Sequence, residues 1–380
     1  MKVGFVTLNT GTIKGGSEKL WRQLACEAQT LGHEVAISVF NHQLIDTRNI
    51  VTQNGKVAGF QFFTRKTFTG KSIIAKIIGR IEELTIGRFI ISFFNKDIEP
   101  DVCIISCGGL AELGLKGNQK KVLHLKVPYS IIIQNNLDEW DFSLESKIAI
   151  SRIFDGAVKN YFVSKKTLDQ SEHQIGTMIK NSSLIANPIP TSPISPIPSS
   201  TRVQLAFIGT LDLQVKGVGL LVEALSKPFW EGKDIVVNIY GEGKDKNQIS
   251  SLIREFGVDD TVFLRGWVDD MEEVWSKNHA LVSTSFNEGL PMVIQEAMMR
   301  GRVVIATDVG GATEIVTDGE TGFIAKTPTV VEVQAALESW WLSRDRWSEM
   351  GAEGARAIRE FHDNIPQPMT VLKELLSSND

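Results

Sequence analysis

This sequence predicts an α/β protein of two Rossmann-like domains, each a parallel sheet flanked by helices. Three observations carry the prediction. At 380 residues the chain is long for a single hydrophobic core, and two domains are its natural division. Residues 188–202, PIPTSPISPIPSSTR, hold five prolines among serines and threonines, the composition of a stiff extended linker. From Val203 onward, short apolar runs (VQLAFI, DIVVNIY, TVFLRG, VVIA) alternate with helix-length segments, the pattern of β and α elements around a parallel sheet. The expected division is therefore 1–187, a linker 188–202, and 203–361.

Composition narrows the function class. With 42% hydrophobic and 22% charged residues, the composition is ordinary for a soluble α/β protein. A net charge of −5 argues against general nucleic-acid affinity. Cys26, Cys103 and Cys107 cannot build a disulfide framework, and no Cys/His cluster suggests zinc. A reduced, cytoplasmic setting is expected. The opening MKVGFVTLNTG has one basic residue and a short apolar core, so it reads as a first strand rather than a signal peptide. No window of about 18 apolar residues is present, so no membrane span is expected.

The first half opens as strand, glycine loop, helix and strand. Gly15 and Gly16 suit a backbone that comes close to a ligand. Ser17 is the expected helix cap, Leu20, Leu24, Ala28 and Leu31 the buried stripe, and Gly32 the stop. Residues 41–70 read as polar, with a hairpin suggested in GKVAGFQFF. Residues 71–94 combine Ile and Leu at helical spacing with Lys71, Lys76, Arg80 and Arg88. A core helix with snorkelling basic side chains is the favoured reading, and a peripheral helix on an anionic membrane is the alternative. VPYSIIIQNNLDEW reads as a buried strand with a polar tip at Gln134, Asn135 and Asn136.

The densest chemistry lies between Ser283 and Gly311. A strand ending at Leu281–Val282 runs into a tight loop, SFNEG, and Pro291 is expected at the first helical turn. Gly301 stops the helix before the strand VVIA. The helix start offers free N–H groups and a positive dipole end, which suit a phosphate. Glu288 in the loop and Glu296, about two turns on by helical numbering, suit sugar hydroxyls as acceptors. Upstream, GTLDLQVKG places Gly209 at a strand end and Lys216 before the next helix. IYGEGKDK lacks the third glycine of a dinucleotide fingerprint and reads as a plain strand–helix turn.

Glu288-x7-Glu296 within NEGLPMVIQEAM, followed by ATDVGG-x2-E and DGETGF, resembles the retaining glycosyltransferases of family 4 (glycosyl transferases group 1). GG-x-E near the start and the NPIP segment agree with that resemblance. It implies the GT-B fold, two Rossmann-like domains facing each other across a deep cleft, with the acceptor on the first and the donor on the second. It implies transfer of a hexose-type sugar from a nucleoside diphosphate sugar, UDP ahead of GDP, to a sugar, lipid-linked or small-molecule hydroxyl with retained configuration. It further implies no metal and no cofactor beyond the donor, and a final helix, about 362–380, returning to the first domain.

Residue by residue, the resemblance assigns Glu288 to the transferred sugar and Glu296 to the ribose. The diphosphate falls to Gly15, Gly16, Gly209, Lys216 and the Gly289, Leu290 and Met292 backbone. Trp267 is placed either beside the nucleobase or in ordinary packing. Two departures stand out: Thr210 replaces the family's usual Arg, and Gln134–Asn136 replace a His. Arg265 is offered from this sequence as the missing charge, making Lys216, Glu288 and Arg265 the catalytic candidates. Other readings are a catalytically weak or inactive GT-B protein that binds a nucleotide sugar, a glycoside hydrolase, and a sugar-nucleotide synthase or phosphorylase. The hydrolase ranks low, because retaining hydrolases hold their carboxylates about 5 Å apart across the bond.

Overall fold

The computed structural model describes residues 1–9, 16–40, 43, 47, 60–65, 93–94, 99–136, 140–190, 192–200 and 202–377. Two compact units divide the chain, one formed by Met1–Pro188 with Ile365–Asp380 and the other by Ile189–Asn364.

In the first unit the strands are β1 (Lys2–Thr7), β2 (Glu34–Phe40), β3 (Phe60–Arg65), β4 (Val102–Cys107), β5 (Tyr129–Ile133), β6 (Lys159–Phe162) and β7 (Ser182–Leu184). They form one sheet in the order β3-β2-β1-β4-β5-β6-β7, with every pair parallel. Strands β4 and β5 are buried at every residue, as continuous apolar runs covered by helices on both faces should be. Its helices are α1 (Gly16–Thr30), α2 (Leu110–Gly114), α3 (Lys116–Leu123), α4 (Leu144–Gly156) and α5 (Lys165–Ile175).

Several local expectations need correction. Helix α1 begins at Gly16, so Ser17 lies inside it rather than capping it. Leu20, Leu24 and Ala28 are buried, but Leu31 falls beyond the last turn and is exposed. Phe60–Arg65 pairs parallel to β2, and residues 55–59 of the suggested hairpin lie outside the described residues. Gly15 and the candidate helix in 71–94 apart from Phe93 and Phe94 lie outside the described residues.

The second unit has β8 (Val203–Ile208), β9 (Ile235–Tyr240), β10 (Val262–Gly266), β11 (Ala280–Ser283), β12 (Val303–Thr307) and β13 (Gly322–Ala325) in a parallel sheet ordered β10-β9-β8-β11-β12-β13. Its helices are α6 (Leu213–Lys216), α7 (Val218–Leu225), α8 (Lys246–Glu255), α9 (Met271–Lys277), α10 (Met292–Met299), α11 (Ala312–Ile315), α12 (Val330–Leu342) and α13 (Trp347–Asn364). Trp340 and Trp347 stack in the core at 4.5 Å between centroids. The final helix, α14 (Pro368–Ser377), packs against α1 in the first unit, and Tyr161 donates a 2.6 Å hydrogen bond to Glu374 there. Among the described residues, no helix is long and apolar enough to cross a membrane.

The proline-rich segment is not a free linker, because most of it is built into the second unit. Prolines lack an N–H, so the carbonyls around them must find donors from outside the segment. Arginines supply them. Arg302, fully buried, donates to the carbonyls of Ser195 at 2.8 Å, Pro196 at 2.9 Å, Trp275 at 2.7 Å and Arg300 at 3.3 Å. Arg359 reaches Ser192 O at 3.2 Å, and Ser195 N donates to Arg300 O at 3.1 Å. Burial, with Arg300 nearby, lowers the Arg302 guanidinium to about 10, still fully charged at neutral pH. Arg302→Met should therefore cost about 1–3 kcal/mol by stranding buried carbonyls. Arg302→Lys should not restore the loss, since one ammonium cannot span the set. Calorimetric unfolding of both variants tests this, and a wild-type melting profile for either would refute it.

Candidate functional site

In both sheets the strand order reverses beside the first strand, at β1/β4 and at β8/β11. Open α/β sheets bind ligands beyond the carboxyl ends of the strands at such a point. The second unit places its sequence-predicted residues there. After β8, Asp212 caps a single helical turn, accepting from the Gln214 and Val215 amides, and Lys216 ends it. This turn was not legible as helix. After β11, Ser285, Asn287 and Glu288 form the loop into α10. The Lys216 ammonium pairs directly with Glu288 Oε1, which also accepts a 2.8 Å hydrogen bond from the Ser285 hydroxyl.

Backbone packing fixes this meeting. Gly217 has φ +61°, and a Cβ there would sit 2.1 Å from Thr284 O. The Thr284 hydroxyl donates back to Gly217 O at 2.9 Å, and Phe286 N donates to Val215 O at 2.9 Å. The loop after β12 closes the other side. Gly310 has φ +53°, a Cβ on it would lie 2.1 Å from Glu288 O, and Gly311 N donates to Gly289 O at 2.7 Å. The turn after β9 supports the Gly209 loop from behind, through Leu211 N to Glu242 O at 3.0 Å and Leu213 N to Asp245 Oδ2 at 2.8 Å. The GEG turn is thus a strand–helix turn with a supporting role.

The remaining candidates fall as follows. Gly209 lies against the Lys216 side chain, and Thr210 is exposed beside it. Gly289 and Leu290 are buried in the loop, Pro291 is the residue before α10, and Met292 is its first residue. Glu296 is accordingly the fifth residue of α10, about one turn into the helix rather than two. The difference arises because residues 288–291 are loop. Arg265 is not brought to the Lys216–Glu288 pair. Its Nε donates to Asn238 Oδ1 of β9 at 2.8 Å, and its guanidinium lies over Phe263. Trp267 is 63% exposed, with its indole N–H on Asp269 at 2.7 Å, so it is not a core residue.

The first unit has its own group at the β1/β4 reversal. Glu18, 1% exposed, accepts from Asn9 at 3.0 Å, Trp21 at 2.5 Å and Thr7 at 3.4 Å. Burial raises its carboxyl above the usual range despite those donors. Across from it, Glu112 accepts from the Gly108 amide at 2.7 Å. Glu18 is the glutamate of GG-x-E, a signal present in the sequence to which no role was attached. Of the polar tip after β5, Asn136 is buried and donates to Gln174 at 2.9 Å, which gives it a structural bond. Asn135 accepts from the Asn136 amide at 2.7 Å. Gln134 is buried, and neither atom of its side-chain amide has a partner among the described residues. Gly16 is the first residue of α1. Among the described residues, no group of His, Cys, Asp and Glu could hold a metal ion.

Three loops meet around an ion pair at the carboxyl ends of a parallel sheet, and comparison with known proteins adds to this. Residues 202–341 match the family Glycosyl transferases group 1. Poly(glycerol-phosphate) alpha-glucosyltransferase of Bacillus subtilis is 24% identical over 205 residues, 54% of this chain and 28% of that protein. Uncharacterized glycosyltransferase MJ1178 of Methanocaldococcus jannaschii is 35% identical over 158 residues, 41% of this chain and 43% of that protein. The chain thus spans less than half the length of these relatives. Among solved structures, Anabaena Alr3699/HepE in complex with UDP superposes with a TM-score of 0.71 at 16% identity, covering 100% of this chain and 99% of that one. A Staphylococcus aureus TarM variant in complex with Fondaparinux, alpha-GlcNAc-glycerol and UDP gives 0.70 at 15%, covering 100% of both chains. At these identities the likeness is one of fold, and that fold is GT-B.

The packing around Glu288 is open to a direct test. Gly310 and Gly319 both have positive φ, but a Cβ on Gly319 meets nothing within 4 Å. Gly310→Ala should therefore lose about 1–3 kcal/mol more in thermal unfolding than Gly319→Ala, the excess being overlap with the Glu288 loop. Equal losses would show that the loop yields freely.

Proposed function

We propose that this protein is a glycosyltransferase. It moves a hexose-type sugar from a nucleoside diphosphate sugar, UDP ahead of GDP, to the hydroxyl of a sugar, lipid-linked or small-molecule acceptor, with retention and without a metal. The observation that carries the reading is the Lys216–Glu288 pair at the β8/β11 reversal, inside the segment that matches Glycosyl transferases group 1. The names of similar proteins, and the UDP held by HepE and TarM, support it.

Each residue then has a task. Lys216 and the backbone at Gly289–Met292 take the diphosphate, and Glu288 takes hydroxyls of the transferred sugar. Glu296 holds the ribose, and exposed Trp267 lies beside the base. The C1–O bond to the diphosphate breaks while the acceptor oxygen bonds C1 from the same face. Its proton passes to a phosphate oxygen. Negative charge grows on the leaving group, and Lys216 stabilises it more in the transition state than in the ground state. A diphosphate competes with Glu288 for the Lys216 ammonium, so donor binding and sugar placement are coupled. Arg265, bonded to Asn238, is left a secondary role.

A panel of donors scored for nucleoside diphosphate release, with and without acceptors, tests the reaction. UDP binding with no release from any donor would instead support a catalytically weak or inactive protein that binds a nucleotide sugar. Lys216→Ala should lower kcat by roughly 10²–10³, comparable to losing one oxyanion donor. Near-normal turnover would remove Lys216 from the chemistry. Glu296→Gln should weaken UDP binding by about 1–3 kcal/mol in titration calorimetry. Unchanged affinity would remove Glu296 from the ribose site.

A further inference from the structure

The loops after β8 and β9 carry an ion pair separate from Lys216–Glu288. Lys244 meets Asp212 Oδ2 at 2.9 Å, while Asp212 Oδ1 accepts the Gln214 amide at 3.0 Å and the Val215 amide at 3.3 Å. One carboxylate thus holds both the Lys244 ammonium and the turn α6, which ends on Lys216. Backbone contact brings the two loops together. Gly241 has φ +137°, and a Cβ on it would lie 1.9 Å from Gly209 O, while one on Gly243 would lie 2.4 Å from Leu211 O. Asp245 N donates to Leu211 O at 3.1 Å, which seats residue 244 beside the Thr210–Asp212 stretch. The other lysine of that turn, Lys246, is turned back on Glu242 at 2.9 Å and 3.1 Å. Lys244 instead reaches the β8 loop, with 61% of its side chain exposed against 21% for Asp212. Hydrogen bonding to Asp212 raises the Lys244 ammonium above its usual range, so it is fully charged at neutral pH.

We propose that Lys244 is a second cation for the diphosphate, held on Asp212 until the ligand arrives; this rests on the nucleoside diphosphate reading given above. Lys216 starts out paired with Glu288, and a diphosphate brings more negative charge than one ammonium offsets. Thr210, exposed on the same loop, adds no charge of its own. Lys244 has the chemistry to make up the difference, a compact charge on a flexible stem rooted next to the turn that carries Lys216. An exposed ion pair is weak, so moving the ammonium from Asp212 to a phosphate oxygen costs little. Asp212 keeps capping α6 through Oδ1 after Oδ2 has lost its partner, so Lys216 stays in place during the exchange.

Titration calorimetry of the full chain with UDP tests it. Lys244→Ala should weaken UDP by about tenfold or more, the loss of one hydrogen bond to a charged group, with unchanged melting because the side chain is exposed. Lys244→Gln, which can still donate to Asp212 but has no charge, should lose as much, and Lys244→Arg should stay near wild type. Asp212→Asn keeps the cap and removes the competing charge, so it should tighten UDP. The proposal is overturned if Lys244→Ala binds UDP as wild type does. It is equally overturned if Lys244→Gln keeps full affinity, which would make Lys244 a brace for Asp212 alone, or if Asp212→Asn weakens UDP as Lys244→Ala does. Weaker binding in Lys216→Ala with none in Lys244→Ala would overturn this inference and leave the diphosphate reading standing. Wild type that does not bind UDP would remove that reading and this inference together.

Discussion

Everything at the second unit's site depends on how closely three loops approach one another by backbone alone. Thr284 O lies where a side chain on residue 217 would have to go, and Glu288 O lies where one on residue 310 would have to go. Glycine at those positions lets the loops after β8, β11 and β12 close into one layer, sewn by the Thr284, Phe286 and Gly311 hydrogen bonds. The ion pair between Lys216 and Glu288 is a consequence of that closure, since 72 residues separate them in the chain. The pair is mostly buried, with 25% and 16% of the two side chains exposed, so desolvation offsets much of its Coulombic gain. Its value is positional: the cation and the carboxylate are held side by side before any ligand arrives.

The first unit repeats the topology with different chemistry. At its reversal the central group is a buried carboxylate, Glu18, which accepts from Asn9, Trp21 and Thr7. Burial works against its charge, and those three donors together with the nearby Arg22 guanidinium offset part of that penalty. Its effect is to fix Asn9 at the exit of β1 through the start of α1. Where the second unit uses glycine contacts to hold a charged pair, the first uses a buried acceptor to hold a loop. Gln134, buried without side-chain partners among the described residues, shows that the rim of this sheet also contains hydrogen-bonding capacity that the described fold does not consume.

The Pro-rich segment shows how composition can be read correctly and placed wrongly. Five prolines do make residues 188–202 extended and stiff. The stiffness serves docking, because an extended chain presents its carbonyls in a row, and the buried guanidinium of Arg302 takes two of them together with Trp275 O and Arg300 O. Arg302 stands three residues after the end of α10 and directly before β12, so the same residue ties the segment to the sheet whose strands position Glu288.

The sequence by itself determined the longer strands and helices of the second unit, the glycine stop after α10, and the candidate residues Lys216 and Glu288 at the β8/β11 reversal. Those signals are local: apolar runs of strand length, glycine after a helix, and a carboxylate beside a helix start. It also carried the polar tip after β5 and the return of the last helix to the first domain as an implication of resemblance. Tertiary structure alone decided the rest. Helix α6 exists because Asp212 caps a turn too short to show a period. Pro291 stands one residue ahead of α10 and residues 288–290 are loop, so the spacing from Glu288 to Glu296 is only partly helical. Arg265 bonds Asn238 on the neighbouring strand β9, a pairing set by sheet order rather than by local sequence. Glu18 became buried, and the proline segment became part of a domain, for the same reason: each needs partners distant in sequence, and no local pattern encodes which of them the fold will bring.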